Sequence, residues 1–147
     1  MKFRLSLLLM TLVLAAASSS TAHALTCSDT TISGRYAFTI HGQIFLPNGG
    51  VLLIDGLAET TFDGRGNLTQ LDAVATNGFV APGWRHSTGN YAVNPDCTGS
   101  FTVTNGDLAP IYAQIVIAQS GNKIHAIVID PGIATTSDAE RIVAPQD

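Results

Sequence analysis

Basic residues are scarce in this sequence, and those present are scattered. Seven Lys and Arg stand against eleven Asp and Glu, which gives a formal net charge of −4 at pH 7. Beyond residue 24 there is a single lysine, Lys123, and no run of like charge. Nucleic acids and anionic membrane surfaces are bound through clustered Lys and Arg, so neither is expected as a partner.

Catalytic and cofactor-binding motifs are also missing. The sequence has no Gly-x-Ser-x-Gly nucleophile elbow, no His-Glu-x-x-His metalloprotease motif and no glycine-rich phosphate loop. Its two cysteines have no histidines at zinc-ligand spacing. The sequence therefore predicts neither a metal nor a cofactor, and it gives hydrolase and nucleotide-binding functions no support.

The N-terminal residues have the features of a cleaved export signal. Lys2 and Arg4 precede an apolar run of about 13 residues, and a small-x-small triplet, Ala-His-Ala, ends at Ala24. The run is shorter than the roughly 20 residues of a membrane-spanning helix. We therefore predict a signal peptide over residues 1–24, a secreted or periplasmic location, and no membrane insertion after cleavage. A membrane anchor and a lipoprotein acylated at Cys27 are the alternatives.

The two cysteines, Cys27 and Cys97, are expected to pair. In an oxidising compartment, an even number of cysteines usually forms disulfides. Asp96 beside Cys97 disfavours the thiolate that a cysteine nucleophile requires. The bond would join the start of the mature chain to the turn that contains Cys97.

After residue 33, short apolar or alternating runs are separated by turn residues, which is typical of β-strands. The predicted strands lie at 35–45, 51–62, 68–76, 84–93, 98–104, 111–119, 123–130 and 135–144. No long stretch has the 3.6-residue periodicity of an amphipathic helix. Residues 137–144 have a short helix as an alternative, because Ser137 and Glu140 resemble a capping box.

The order of strands predicts an all-β fold. Consecutive antiparallel strands favour an up-and-down barrel of about eight strands, which leaves no free sheet edge, and a two-sheet sandwich is the alternative. Residues 25–147 are thus predicted to form one β-barrel domain. Strands 111–118 and 124–129 are apolar on both faces, so their outer face is a candidate contact in a homo-oligomer.

Candidate site residues lie along one strand and at the start of another. Asp55 and Glu59 share one strand face, and they would form a carboxylate pair for acid–base catalysis if that face lines the lumen. If the face points outward, both are solvated. Arg85 and His86 complete this catalytic set.

A ligand-binding set is predicted separately. Trp84 and Arg85, beside a turn-rich loop, can bind a small anionic or aromatic ligand. Tyr36 and Tyr112 are the other predicted ligand-binding residues.

Four segments carry a resemblance. The sequence resembles a group of small exported, largely uncharacterised bacterial proteins. The resemblance rests on SGRYAFTIHG, TFDGRGNLT, STGNYAVNPDCTGSFTV and IHAIVIDPG taken together. The shared pattern is Ser-Gly-x-Tyr, Phe-Asp-Gly-x-Gly and Gly-x-Tyr-x-Val-x-x-x-Cys-x-Gly. The resemblance implies a compact barrel of the lipocalin-like or allene-oxide-cyclase-like type, whose apolar lumen binds or cyclises small hydrophobic molecules. It supplies no catalytic residues.

Three functions are open on the sequence. The first is an exported module that binds a small apolar molecule in its lumen, without catalysis. The second is a cofactor-free cyclase or isomerase. The third is a structural or interaction protein whose apolar outer strands build an oligomer. The first two require an open lumen, with a cavity of roughly 300 Å³ or more.

Overall fold

The computed structural model describes residues 26–106 and 109–143 and shows an all-β protein. The predicted signal peptide, with its cleavage site after Ala24, lies outside the described residues. The strands are β1 (Gly34–Phe45), β2 (Val51–Phe62), β3 (Asn67–Thr76), β4 (Phe79–Val80), β5 (Arg85–Val93), β6 (Thr98–Thr104), β7 (Ile111–Ala118), β8 (Lys123–Val128) and β9 (Ile133–Arg141). Two 3₁₀ turns, Asp29–Ile32 and Gln119–Gly121, are also present. Within the described ranges, no helix has the length and apolarity to cross a membrane.

Eight of the strands close into an antiparallel barrel. Each barrel strand pairs with its neighbours in chain order, and the first strand, β1, pairs with the last, β9. The β2–β3 pairing completes the ring, while the two-residue β4 adds to β3 at Ala75 and Thr76. The predicted up-and-down barrel is confirmed, and the sandwich alternative is wrong because one sheet closes on itself. Residues 133–141 form a strand, so the helical alternative for the last run is also wrong.

Side chains alternate between the lumen and the outer surface, as the two-residue period of a strand requires. In β1, Tyr36 and Phe38 are buried while Arg35, Ala37 and Thr39 are exposed. The same alternation runs through the other barrel strands and collects the buried apolar side chains inside the barrel.

One end of the barrel is closed. There, the 3₁₀ turns lie over the start of β1 and the end of β7, and Ile32, Tyr36, Phe62 and Ile124 are almost completely buried. Gly121 has a φ of +88°, and a Cβ at this position would collide with the backbone of the first 3₁₀ turn. Glycine is therefore required where the two turns meet. We call this the closed end, and the opposite end the open end.

The N-terminal segment is fastened to the closed end. Cys27 and Cys97 form a disulfide with their Cα atoms 5.0 Å apart, and the Cys27 amide donates a hydrogen bond to Pro95 O (3.1 Å). The Val93 amide donates to Asp29 Oδ1 at 2.8 Å. The predicted cysteine pairing is confirmed, and such a bond is compatible with an oxidising, exported location.

Strands β7 and β8 carry apolar side chains on both faces, as the sequence indicates. Ile115 and Ile124 are buried inside the barrel. Tyr112, Val116 and Ile127 point outward and are about half exposed. The outer face of these two strands is therefore an exposed apolar surface.

Candidate functional site

The barrel lumen contains a cavity of about 250 Å³. It runs from Phe38 and Ala126, midway along the barrel, to Ile44, Thr76 and Asn105 at the open end. Most of its lining is apolar, contributed by Phe38, Ile40, Ile44, Ile54, Ala58, Val74, Phe101, Val103, Ala109, Ile111, Ala113, Ala126, Val128 and Ile133. A concave, mainly apolar space with a small number of polar groups is the usual form of a small-molecule site.

Aromatic side chains form the floor of the cavity. The Phe38 ring lies edge-on to Phe101, with centroids 6.2 Å apart, and tilted against Phe62 at 6.5 Å. Phe62 in turn meets Tyr36 and Tyr91 edge-on at 5.5 and 4.9 Å. Edge-to-face packing at these distances is favourable beyond the area that it buries. The floor is therefore densely packed and separates the cavity from the closed end.

Thr135 and Ser137 of β9 contribute hydroxyl groups to the cavity lining, and a larger polar group lies on the β2–β3–β5 side of the lumen. Thr60, Gln70, Asp72, Arg85 and Ser87 project inward from β2, β3 and β5, and we call this group the polar wall. In the strand register, Thr60 lies opposite Gln70, Gln70 opposite Ser87, and Asp72 opposite Arg85. Direct cross-strand neighbours are close enough for their side chains to interact. The barrel register therefore assembles the wall.

Hydrogen bonds connect four members of the polar wall in one chain. Thr60 Oγ1 donates to Gln70 Oε1 (2.9 Å), and Gln70 Nε2 donates to Asp72 Oδ2 (3.0 Å). Arg85 Nε donates to Asp72 Oδ1 at 2.6 Å. Asp72 is only 5% exposed, so its carboxylate depends on these charge-assisted bonds. Both of its oxygens are occupied.

Ser87 is the exception in the polar wall. Its side chain lines the cavity and the residue is 4% exposed, yet Oγ has no hydrogen-bond partner among the described residues. An unsatisfied buried hydroxyl costs about 1–3 kcal/mol. A polar atom of a bound molecule beside Ser87 would recover that free energy.

The predicted carboxylate pair lies outside the lumen. Asp55 is 71% exposed and its Oδ1 is 2.9 Å from His41 Nδ1. Glu59 forms an ion pair with Arg35 at 2.7 Å, and the hydrogen bond from Arg35 lowers the pKa of this carboxyl from its ordinary value. Of the two arrangements open on the sequence, the structure shows the solvated one.

The direction of β2 explains this outcome. Ile54 and Ala58 are buried, so the alternate positions 53, 55, 57 and 59 point outward. Leu53 and Leu57 share the outer face with the two acids and are each 57% exposed. The apolar residues on both faces conceal the orientation of this strand in the sequence.

The other predicted site residues are dispersed, except for Arg85, which lines the cavity. His86 follows it and is exposed on the outer face. Trp84 is 58% exposed at the open end, and Tyr112 is on the outer surface of β7. Tyr36 is buried at the closed end, where its hydroxyl donates to Gly121 O and burial raises its pKa to about 12.

Exposed apolar side chains surround the open end. They come from strand ends and from the loop between β3 and β5: Phe45, Val51, Phe79, Val80, Trp84 and Ile111. Scattered exposed apolar residues are normal, but a group around a cavity mouth is typical of a ligand-binding site. Trp84 therefore belongs to the rim of the cavity.

Thr60, Gln70, Asp72 and Ser87 were not among the predicted site residues. The sequence of β3 contains a pattern that could have identified Gln70 and Asp72. Both lie on the same face of the strand as Leu68 and Val74, and Leu68 is buried. The position of Ser87 beside Gln70 depends on how β3 and β5 pair. The residue pattern of a single strand does not reveal that pairing.

Comparisons with known proteins leave the family open. No protein-family model matches the chain, and no curated protein matches its sequence significantly. The closed eight-stranded barrel is consistent with a lipocalin-like barrel. Among the described residues, no three His, Cys, Asp or Glu side chains are grouped to hold a metal ion.

Proposed function

We propose that the protein is an exported binding protein that holds a small apolar molecule in its barrel lumen. The observation that carries this proposal is the cavity of about 250 Å³, which has a mainly apolar lining, an aromatic floor and the polar wall on one side. The exposed apolar rim supports it, because an apolar molecule would meet this surface before it enters. Export is supported by the signal-like N-terminus and by the disulfide.

The size of the cavity limits the ligand. On the sequence, the binding and cyclase functions require a cavity of roughly 300 Å³ or more, the size at which sites for drug-sized molecules begin. The observed cavity, at about 250 Å³, does not reach that size, which excludes a drug-sized ligand. An engineered cavity of about 150 Å³ holds benzene, which suggests about ten non-hydrogen atoms for the volume observed here. The proposed ligand is therefore a small molecule rather than a long-chain lipid.

Binding is favoured over the cyclase or isomerase alternative by the placement of the acids. Asp55 and Glu59 face solvent, so they supply no acid–base pair to the lumen. The lumen acid Asp72 already accepts bonds from Gln70 and Arg85 at both oxygens. Among the described residues, Asp72 is the one carboxyl group that lines the cavity, so the acid–base pair that the cyclase alternative requires has no second member there.

The test is native mass spectrometry of the protein purified from the compartment to which it is exported. We expect a bound small molecule in the wild type. Ala126→Phe, on the cavity lining, should abolish it, whereas Ala92→Phe, the same change at an exposed position of β5, should leave it unchanged. A wild-type protein that carries no small molecule and also fails to bind added propylbenzene would contradict the proposal.

Self-association is a second candidate, favoured by the exposed outer face of β7 and β8. Tyr112, Val116, Ile127 and Ile129 there are about half exposed, and Ile129 N donates to Tyr112 O, which holds two of them side by side. A second copy of this chain is the proposed partner. The same spectra test it: we expect an oligomer that Val116→Lys dissociates, and a wild-type monomer at all concentrations would exclude it.

A further inference from the structure

The hydrogen bonds of the polar wall determine which polar groups of the wall remain for a ligand. Asp72 uses one oxygen for Arg85 and the other for Gln70. Gln70 Oε1 accepts from Thr60, so its acceptor atom is engaged as well. The carboxylate and amide oxygens of the wall are thus each engaged within the wall.

Donors, by contrast, are left over. Among the described residues, the side-chain hydrogen bonds of Arg85 involve Nε, and its terminal N–H groups bond to no other residue there. Ser87 Oγ is without a partner in the same ranges. Both side chains line the cavity and lie two residues apart on β5, on the same face. The Ser87 hydroxyl can donate or accept, but the guanidinium N–H groups of Arg85 only donate, so a ligand that complements this wall must bring hydrogen-bond acceptors to Arg85.

From this surplus of donors we infer that the lumen binds a small monocarboxylic acid with an apolar body, whose carboxylate is held by Arg85 and Ser87. The planar guanidinium matches the two oxygens of a carboxylate better than it matches a single acceptor. The inference rests on the proposed function and names the chemical class of its ligand.

The position of Arg85 makes a charged ligand acceptable in an apolar lumen. Arg85 begins β5 at the open end and its side chain is about half exposed, so a carboxylate beside it keeps part of its hydration. The apolar body can then lie towards Phe38, Phe101 and Ala126, deeper in the cavity. This arrangement avoids the large desolvation penalty of a fully buried, unpaired charge.

Three probes of similar size separate the inference from the proposed function. We would titrate the isotope-labelled protein with 3-phenylpropanoic acid, its neutral amide 3-phenylpropanamide, and propylbenzene, and follow binding by NMR. All three have the same apolar body at about the size that the cavity accepts. We expect the acid to bind about tenfold or more tightly than the amide, because hydrogen bonds to a charged group are the stronger ones.

Variants of the wall locate the carboxylate. Ser87→Ala removes the partnerless hydroxyl and keeps the Asp72–Arg85 pair, so we expect the fold to persist and the preference for the acid to fall about threefold or more. The double variant Asp72→Asn/Arg85→Met removes both charges together, leaves no unpaired carboxylate, and should abolish the preference. Propylbenzene should still bind to both variants. Ala126→Phe should prevent binding of all three probes.

The binding results distinguish failure of the carboxylate inference from failure of the proposed function. If propylbenzene binds but the acid is no tighter than the amide, the carboxylate inference is overturned and the proposed function stands. If the preference for the acid persists in both wall variants, or in Ala126→Phe, the acid binds elsewhere and the inference is overturned. If no probe binds, the proposed function fails together with the inference.

Discussion

The disulfide provides the most quantitative prediction. Cys27→Ala with Cys97→Ala removes the covalent link between the N-terminal segment and the turn between β5 and β6. The remaining contacts of that segment, such as the Asp29 bond to the Val93 amide, stay in place. We therefore expect the variant to fold to the same barrel with a lower free energy of unfolding.

The expected loss follows from the length of the closed loop. The two cysteines are 70 residues apart, for which the chain-entropy relation gives about 4 kcal/mol at 25 °C. Small domains have a total stability of about 5–15 kcal/mol, so this is a large fraction of it. With a urea dependence of about 2 kcal/mol/M, the midpoint of unfolding should fall by about 2 M.

Urea unfolding followed by far-ultraviolet circular dichroism measures this change. Dithiothreitol should lower the wild-type midpoint towards that of the variant and should leave the variant unchanged, which makes the reduced wild type a matched control. A midpoint shift below about 0.5 M would refute the argument, because the cross-link would then not reduce the conformational entropy of the unfolded chain by the amount calculated from the loop length.

Two further predictions concern the same turn and the closed end. Cys97 has a φ of +67°, a backbone conformation that suits glycine. The variant Cys27→Ala/Cys97→Gly should therefore be about 1 kcal/mol more stable than Cys27→Ala/Cys97→Ala in urea unfolding. Equal urea midpoints for the two variants would contradict this prediction. Burial raises the pKa of Tyr36 above its ordinary value of 10 to about 12, so the stability that its neutral form supplies is complete below pH 10 and is lost as the pH rises towards 12. Between pH 10 and pH 12, the urea midpoint should fall less in Tyr36→Phe than in the wild type. An equal fall of the midpoint with pH in both proteins would exclude Tyr36 as the cause of the lost stability.

Most of the strand positions could be predicted because the buried side chains repeat every second residue. The predicted strand at 35–45 is β1, and Tyr36 and Phe38 face inward as their spacing requires. The two-residue β4, Phe79–Val80, lies between the predicted strands at 68–76 and 84–93 and was not predicted. It exists through its pairing with Ala75 and Thr76, and a segment that short has no period of its own.

The site was harder to predict, because it depends on which face of a strand points inward. In β2, Asp55 shares its face with Leu53, while Ile54 lies on the other face. Hydrophobicity alone therefore does not determine which face of β2 points into the lumen. Arg85, a predicted site residue, lines the cavity, whereas its partner Asp72 is fixed by the β3–β5 register. Long-range pairing carries that information, and local patterns do not.

The pairing of the first strand with the last also determines when this protein can acquire its native interior. Thr39 and Asp138, joined by a hydrogen bond across β1 and β9, are 99 residues apart. Barrels dominated by such distant contacts fold in milliseconds to seconds, much more slowly than helical bundles. Until β9 has left the ribosome, the edges of β1 and β8 are unpaired and the lumen side chains face water. The chain is most exposed to aggregation in that interval, and chaperone protection would have its greatest effect there.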